Sequence, residues 1–323
     1  MKDLLVTGSN GLLGHAVRAL CPTATFVTRE DADLTNLEQT RRLFEHVRPK
    51  AVLHLAAAVG GVKQNAERGA DLFAVNVQIN TNVLATAQAA GVQRLIAVLS
   101  SCAFPLHPDR PSTEDDLHAG MPFHGNLGYG FAKRMLDVHV RLLREEYGCK
   151  FSTVAPVTMY GPHDAFDPES GHVVGALIRK CHEAKAAGTP FVVWGTGQAI
   201  RQFVYAPDVA QWLLRHLESD QGPGTVIVAP DDGVTIFDLA HLIARVMEYP
   251  GEPRFDHRKP EGTLVKRIRS RRSEAPGGGF TCTPLEQGLR ETVSWFLECE
   301  AHRAVDRIGQ AGSRKRDTCS SSA

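Results

Sequence analysis

No stretch of the 323-residue chain holds 18 or more consecutive apolar residues, and no basic region followed by an apolar run opens it. A membrane span and a secretory leader are therefore not expected, and the cytoplasm is the expected location. An excess of charge of either sign is equally missing: lysine plus arginine and aspartate plus glutamate number 36 each. That balance gives no reason to expect nucleic acid or an anionic membrane as a partner, so an anionic ligand has to be met by local cations. The seven cysteines (Cys21, Cys102, Cys149, Cys181, Cys282, Cys299 and Cys319) form no C-x-x-C pair. Neither a zinc site nor a disulfide framework is suggested, and buried free thiols are expected. No internal repeat of fixed period occurs, which sets solenoid and propeller architectures aside.

What the sequence does hold is a strand running into a glycine turn, Leu4-Leu5-Val6-Thr7 followed by Gly8-Ser9-Asn10-Gly11-Leu12-Leu13-Gly14. Glycines punctuate turns in any fold. Here, however, the G-x-x-G-x-x-G triplet precedes Leu12, Leu13, Ala16, Val17 and Leu20, which have helical apolar spacing. Strand, tight turn and helix in that order let a backbone approach a pyrophosphate and aim helix amides at it. Strand-like runs at Thr25-Thr28, Ala51-Ala56, Leu95-Ser100 and Phe151-Ala155 alternate with helices from Leu12, Glu38, Asp71 and Tyr129. The alternation predicts an α/β fold with a Rossmann-type doubly wound parallel sheet.

At roughly 150 residues per domain the length suits about two domains. Residues 1–161 are expected to bind the dinucleotide, rejoined by a strand near 225–229. Residues 162–300 are expected to form a smaller α/β substrate-binding domain, with a disordered tail over 301–323. The basic run Lys266 to Arg272 and the glycines that follow read as a solvated loop, with phosphate contact as the alternative.

Where the second strand ends, an acidic residue favours a free ribose 2′-hydroxyl and a basic one a 2′-phosphate. This strand ends in Thr28 and Arg29, a hydrogen-bond donor and a guanidinium, which favours NADP(H), although Glu30 and Asp31 follow directly. Asp33-Leu34 is placed to meet the adenine. The small residues of Leu55-Ala56-Ala57 permit close approach of the dinucleotide, and equally suit plain helix–sheet packing.

Tyr129 and Lys133 stand four apart on a helix, so an ammonium on the same face is expected to lower the phenol's pKa from its usual value near 10. Such spacing is common by chance on helix surfaces. Ser100, closing an apolar strand whose carboxyl end faces the crevice, adds an independent third element.

With these motifs the chain resembles the extended short-chain dehydrogenase/reductase superfamily, and within it the GDP-sugar epimerase-reductases. The likeness runs over roughly residues 3 to 300. Its telling segments are Leu55 to Gly61, Ser100-Ser101-Cys102-Ala103-Phe104-Pro105, Gly128 to Arg134, Tyr160 to Asp164 and Val193 to Gly197. The resemblance implies NADP(H) as cofactor and GDP-4-keto-6-deoxy-D-mannose as the GDP-sugar substrate, inverted at carbons 3 and 5 and reduced at carbon 4. It implies Ser100, Tyr129 and Lys133 as the redox triad, with Cys102 and His172 as the acid/base pair for epimerisation. It adds Leu99, Pro156, Val157, Thr158, Met159 and His172 to the cofactor contacts, and Ser101, Cys102, Lys180, Trp194, Arg201, Glu261 and Lys266 to the substrate contacts. For Trp194 a core position in its strand is the alternative.

Homodimerisation through the helix presenting Met135, Val138, Leu142 and Leu143 is also implied. The chain departs from the family in Val157-Thr158 where relatives carry Thr-Asn, in Glu261 where they carry aspartate, and in the arginine- and glycine-rich segment from 267 to 279. A nucleotide-sugar 4-epimerase or 4,6-dehydratase is the nearest alternative within the superfamily, and a non-catalytic dinucleotide sensor the alternative outside it.

Overall fold

Four consecutive apolar or small residues, Leu4–Thr7 (β1), are completely buried, as a strand covered on both faces requires. In this computed structural model, which describes residues 3–107, 109–168, 171–219, 224–259, 261–271 and 280–317 (the side chains of 62, 63, 66 and 304–317 excepted), β1 lies inside a six-stranded sheet. The elements that follow it are α1 (Leu12–Leu20), β2 (Thr25–Val27), α2 (Leu37–Val47), β3 (Ala51–His54), α3 (Val62–Glu67), α4 (Gly69–Ala89), β4 (Arg94–Val98), α5 (Leu127–Tyr147) and β5 (Lys150–Pro156). Then come β6 (Thr158–Tyr160), α6 (Val173–Ala187), β7 (Val192–Trp194), β8 (Ile200–Arg201), β9 (Phe203–Tyr205) and α7 (Ala206–Leu217). The chain continues through β10 (Thr225–Val228), β11 (Val234–Thr235), α8 (Ile236–Val246), β12 (Arg254–Asp256) and α9 (Leu285–Asp317).

The large sheet has the order β10-β5-β4-β3-β1-β2 and every neighbouring pair in it is parallel. From β1 the chain winds outward to β2, then crosses to β3 and continues the other way. The reversal leaves a crevice beyond the carboxyl ends of β1 and β3. The doubly wound α/β fold read from the sequence is thus the fold of the chain, and β10 joins the sheet beside β5 near where the returning strand was expected. Two hydrophobic clusters form, one around this sheet and one built on Tyr160, α6, α8 and the start of α9. Short strand pairs, β6 with β9, β7 with β12 and β8 with β11, surround the second.

Local chemistry sets the boundaries. Asn36 accepts from the Gln39 amide to start α2, and Thr235 accepts from the Asp238 amide to start α8, a cap predicted from the sequence. On α5, Met135 and Leu142 are exposed as expected of an association face, but Leu143 is buried, because its side of the helix turns onto the sheet.

Two expectations change. The tail expected to begin at 301 starts inside α9, whose helical backbone continues to Asp317; an Arg303–Glu300 ion pair one turn apart spans the assumed start, and 318–323 lie outside the described residues. The basic stretch expected to be a solvated loop is pinned at its first half. Ser112 donates its amide to the Arg267 carbonyl and accepts from the Arg269 amide, while Glu114 accepts from Ser270 Oγ and the Arg271 amide. Its glycine-rich half, 272–279, lies outside the described residues.

Candidate active site

Beneath the crevice a polar chain ties the sheet to the helix carrying Tyr129. The Thr7 hydroxyl donates to His54 Nδ1 (2.9 Å), His54 Nε2 donates to Asn80 Oδ1 (3.1 Å), and Asn80 Nδ2 reaches the Ala132 carbonyl (3.4 Å). Burial, reinforced by the charge of Lys133, drops the His54 imidazole to about 3, so it stays neutral as this donor–acceptor relay requires. Nothing in the sequence marks it, since a single histidine ending a strand is a common core residue.

Four pieces of chain converge above it. Ser100 follows β4 and accepts the Cys102 amide at 3.1 Å, folding 101–103 into a short 3-10 turn that turns the thiol back over the strand end. Ser101, in the same turn, is buried. The Cys102 sulfur receives the Asn126 side-chain amide at 3.3 Å and the Lys266 ammonium at 3.2 Å. Burial pushes this thiol up, but the Lys266 charge and the hydrogen bonds from Ser100, Lys266 and Asn126 outweigh it, and the net shift is downward.

Tyr129 and Lys133 are both buried on α5. Lys133 Nζ donates to the Val98 carbonyl at 2.7 Å and sits 5.7 Å from the Tyr129 ring centroid. The expected lowering of the phenol pKa is not what this arrangement gives. Burial, with the Cys102 thiolate adding to it, pushes Tyr129 up, while burial brings Lys133 down to about 8. A phenol so placed holds its proton and is suited to donate it.

His172 caps the start of α6, and its Nδ1 lies 3.2 Å from Oδ1 of the buried Asp164. That hydrogen bond raises the imidazole pKa, against a smaller effect of burial, and the Cys102 charge acts in the same upward direction. Asp164 was not among the residues singled out from the sequence, although it stands in the Tyr160–Asp164 motif. Its other oxygen, Oδ2, is buried without a hydrogen-bond partner.

The glycine turn fits a dinucleotide. Gly8 has φ +71°, and a Cβ there would stand 2.6 Å from the Ala56 backbone; a Cβ on Gly14 would stand 2.5 Å from the Ser9 carbonyl oxygen. With Gly11 at its start, α1 has neither a side-chain cap nor an acidic residue in its first turn, and Ser9 Oγ is buried without a partner. Amides and a hydroxyl are thereby left for an anion. Asn10 is exposed beside them, Leu12 is half-buried and Leu13 is buried.

At the end of β2, Thr28 spends its amide and hydroxyl protons on Asp31, so the donor role expected for Thr28 is already taken within its own turn; Arg29 stands exposed. Asp33 likewise commits Oδ1 to Thr35, and Leu34 is buried. Leu55, Ala56 and Ala57 line the chain after β3, and Leu99 and Val157 are buried where β4 and β5 end, next to Pro156, Thr158 and Met159.

Trp194 is 41% exposed, which removes the core alternative. Two ammonium groups stand over its ring, Lys180 at 4.1 Å and Lys259 at 5.4 Å from the centroid. Lys259 was missed, its only sequence signal being proximity to Glu261. Arg201 donates to the Ile200 and Thr263 carbonyls. Glu261 takes the Thr196 hydroxyl on both oxygens and the Ala199 amide, so its carboxylate fastens the 195–199 turn and is not free for the substrate contact expected of it. Lys266, expected at the substrate, is on the Cys102 sulfur.

A parallel sheet with a glycine turn at its switch point and Ser100, Tyr129 and Lys133 about the next strand end defines a class. The chain belongs to the NAD dependent epimerase/dehydratase family, whose match covers residues 4–229. Within it the chain groups with the GDP-L-fucose synthases. It is 36% identical over 307 residues to GDP-L-fucose synthase of Dictyostelium discoideum, a match that covers 92% of this chain and 96% of the relative. A GDP-L-fucose synthetase from Naegleria fowleri shares the fold with a TM-score of 0.84 at 35% identity, over 92% of this chain and 94% of that one. The same protein bound to NADP gives 0.82, over 91% and 94%.

Proposed function

We propose that the chain converts GDP-4-keto-6-deoxy-D-mannose to GDP-L-fucose, inverting carbons 3 and 5 and then reducing carbon 4 with NADPH. The observation that carries this reading is a thiol held against an ammonium while acting electrostatically on both the Tyr129 phenol and the His172 imidazole. Simple hydride transfer needs only the serine, tyrosine and lysine. A paired base and acid beside them suits inversion of a carbon next to a carbonyl.

The 4-keto group acidifies the hydrogens on carbons 3 and 5. Cys102 as thiolate takes one: the C–H bond breaks, S–H forms, and the electron pair moves onto the oxygen at carbon 4. Ser100 and Tyr129 hold that oxygen by hydrogen bonds. The His172 imidazolium returns a proton from the opposite face, and a net proton transfer from Cys102 to His172 resets the pair for the second inversion. The pyrophosphate would rest on the Gly8–Gly14 turn and Ser9, the 2′-phosphate beside Arg29, and the ribose near Lys133. Bound NADPH supplies the hydride for carbon 4. Tyr129 then gives its proton to the resulting alkoxide.

In this reading residues 1–161 with β10 hold the cofactor, and 162–300 the sugar nucleotide. The exposed Phe73, Met135 and Leu142 on α4 and α5 support a homodimer, and a cysteine that must stay reduced to act as a base suits the cytoplasm. Sedimentation as a single chain, or a tagged chain found in another compartment, would refute those two points.

The central test is incubation of the purified chain with NADPH and the 4-keto sugar nucleotide. Loss of reduced nicotinamide matched by GDP-L-fucose is expected. Binding of NADPH without oxidation would identify a sensor, and reduction without inversion a simple 4-reductase; either outcome rejects the proposal.

A further inference from the structure

Lys266 reaches the active site from far along the sequence, and the chain around it is unusually well tied. Val265 forms a bridge with Ile200, and the Lys266 amide donates to the Ile200 carbonyl. Two residues on, Ile268 bridges to Ser112, and Gln202 holds the Ile268 backbone from both sides, accepting its amide at 2.8 Å and donating to its carbonyl at 3.0 Å. Glu114 then receives Ser270 and Arg271, and Arg271 pairs with Asp115. Residues 265–271 thus form a strap with one end on β8 and the other on Ser112 and the 3-10 turn at 114–116. Its single inward ammonium on the sulfur is that of Lys266.

A sulfur that accepts an amide N–H at 3.3 Å and an ammonium at 3.2 Å is better served as an anion than as a thiol, since both partners are donors only. The other charged or titratable groups coupled to it are the Tyr129 phenol from α5, the His172 imidazole from the start of α6 and the Arg201 guanidinium from β8. Of the cations, Lys266 is the one in direct contact.

We propose that Lys266 and Asn126 form a two-point cradle for the Cys102 thiolate, and that docking of the 265–271 strap is what arms this residue as the epimerisation base. Lys266 thereby touches the reacting atom, while Glu114 and Gln202 act through the strap as positioning residues. The role as base rests on the function proposed above; the cradle does not.

Alkylation of Cys102 by iodoacetamide, followed by peptide mapping as a function of pH with C102S as the blank, reads the thiolate directly. Lys266→Met is expected to slow alkylation at neutral pH about tenfold and move the profile to higher pH, with Lys266→Arg retaining most of the wild-type rate. Glu114→Gln and Asn126→Ala are expected to shift it the same way by less. NADPH binding, read by fluorescence, verifies that each variant is folded; if Lys266→Met is not, Asn126→Ala and Glu114→Gln decide. An unchanged alkylation profile in the folded variants overturns the cradle. A shifted profile in a protein whose wild type does not epimerise the sugar would sink the function and leave the cradle standing.

Discussion

Replacing Cys102 by serine is expected to abolish exchange of the hydrogens on carbons 3 and 5 with solvent deuterium, by about 10²- to 10⁴-fold, while NADPH binds as before. The serine hydroxyl would occupy nearly the same place beside Lys266 and Asn126. An alcohol there holds its proton far more tightly than a thiol whose pKa Lys266 and Asn126 already lower, so position is kept and basicity is lost. The glycine turn proposed to hold the dinucleotide is built from β1 and α1 and shares no side chain with this contact, which is why cofactor affinity should not move. Wild-type deuterium incorporation in the variant would remove Cys102 from the mechanism.

Replacing Asp164 by asparagine is expected to cost about a hundredfold in inversion at neutral pH, by analogy with the loss of second-layer partners elsewhere. Asp164 holds Nδ1 of His172 and raises its pKa, so the ring keeps its charge to higher pH than an unassisted imidazole does. Without the carboxylate the pKa falls, and the alkaline limb of the inversion profile moves to lower pH. The linkage has a definite sign. Because the folded-state pKa is raised, the pair's contribution to stability is complete below the ordinary imidazole pKa and is lost as pH rises through the folded one. The stability gap between wild type and D164N should therefore be wider at acid pH than at alkaline pH. His172 is half exposed, its side chain at 47%, so that gap is small compared with the kinetic effect. Titration of the His172 ring protons by NMR checks the cause, and an unchanged pKa in D164N would refute it.

The sheet was readable because each of its first strands is an apolar run with a helix-spaced pattern after it, and periodicity is a local property of sequence. The glycine turn was readable for a similar reason: Gly8 and Gly14 sit where any Cβ meets backbone. What sequence could not yield were partners distant along the chain. Nothing in Lys266, within a run of basic residues, marks it as the neighbour of Cys102, and net charge there pointed to solvent. Glu261 was assigned to the substrate only through resemblance to the family, yet the Thr196 hydroxyl and the Ala199 amide consume it. Tyr129 and Lys133 were correctly paired on one helix face. The direction of the phenol's shift was missed, because spacing reveals proximity but not burial.

The imidazoles of His15 and His163 stack at 3.9 Å with their planes 3° apart, and the Trp295 ring closes on His163 at 4.5 Å. His15 is one residue past Gly14 and Trp295 belongs to the last helix, so the opening and closing stretches of the polypeptide lean on each other through three rings. Harm done to that helix has a short route to the glycine turn that bypasses the sheet entirely. A molecule clipped ahead of Trp295 would lose the wall behind His163, and the first helix would lose its brace.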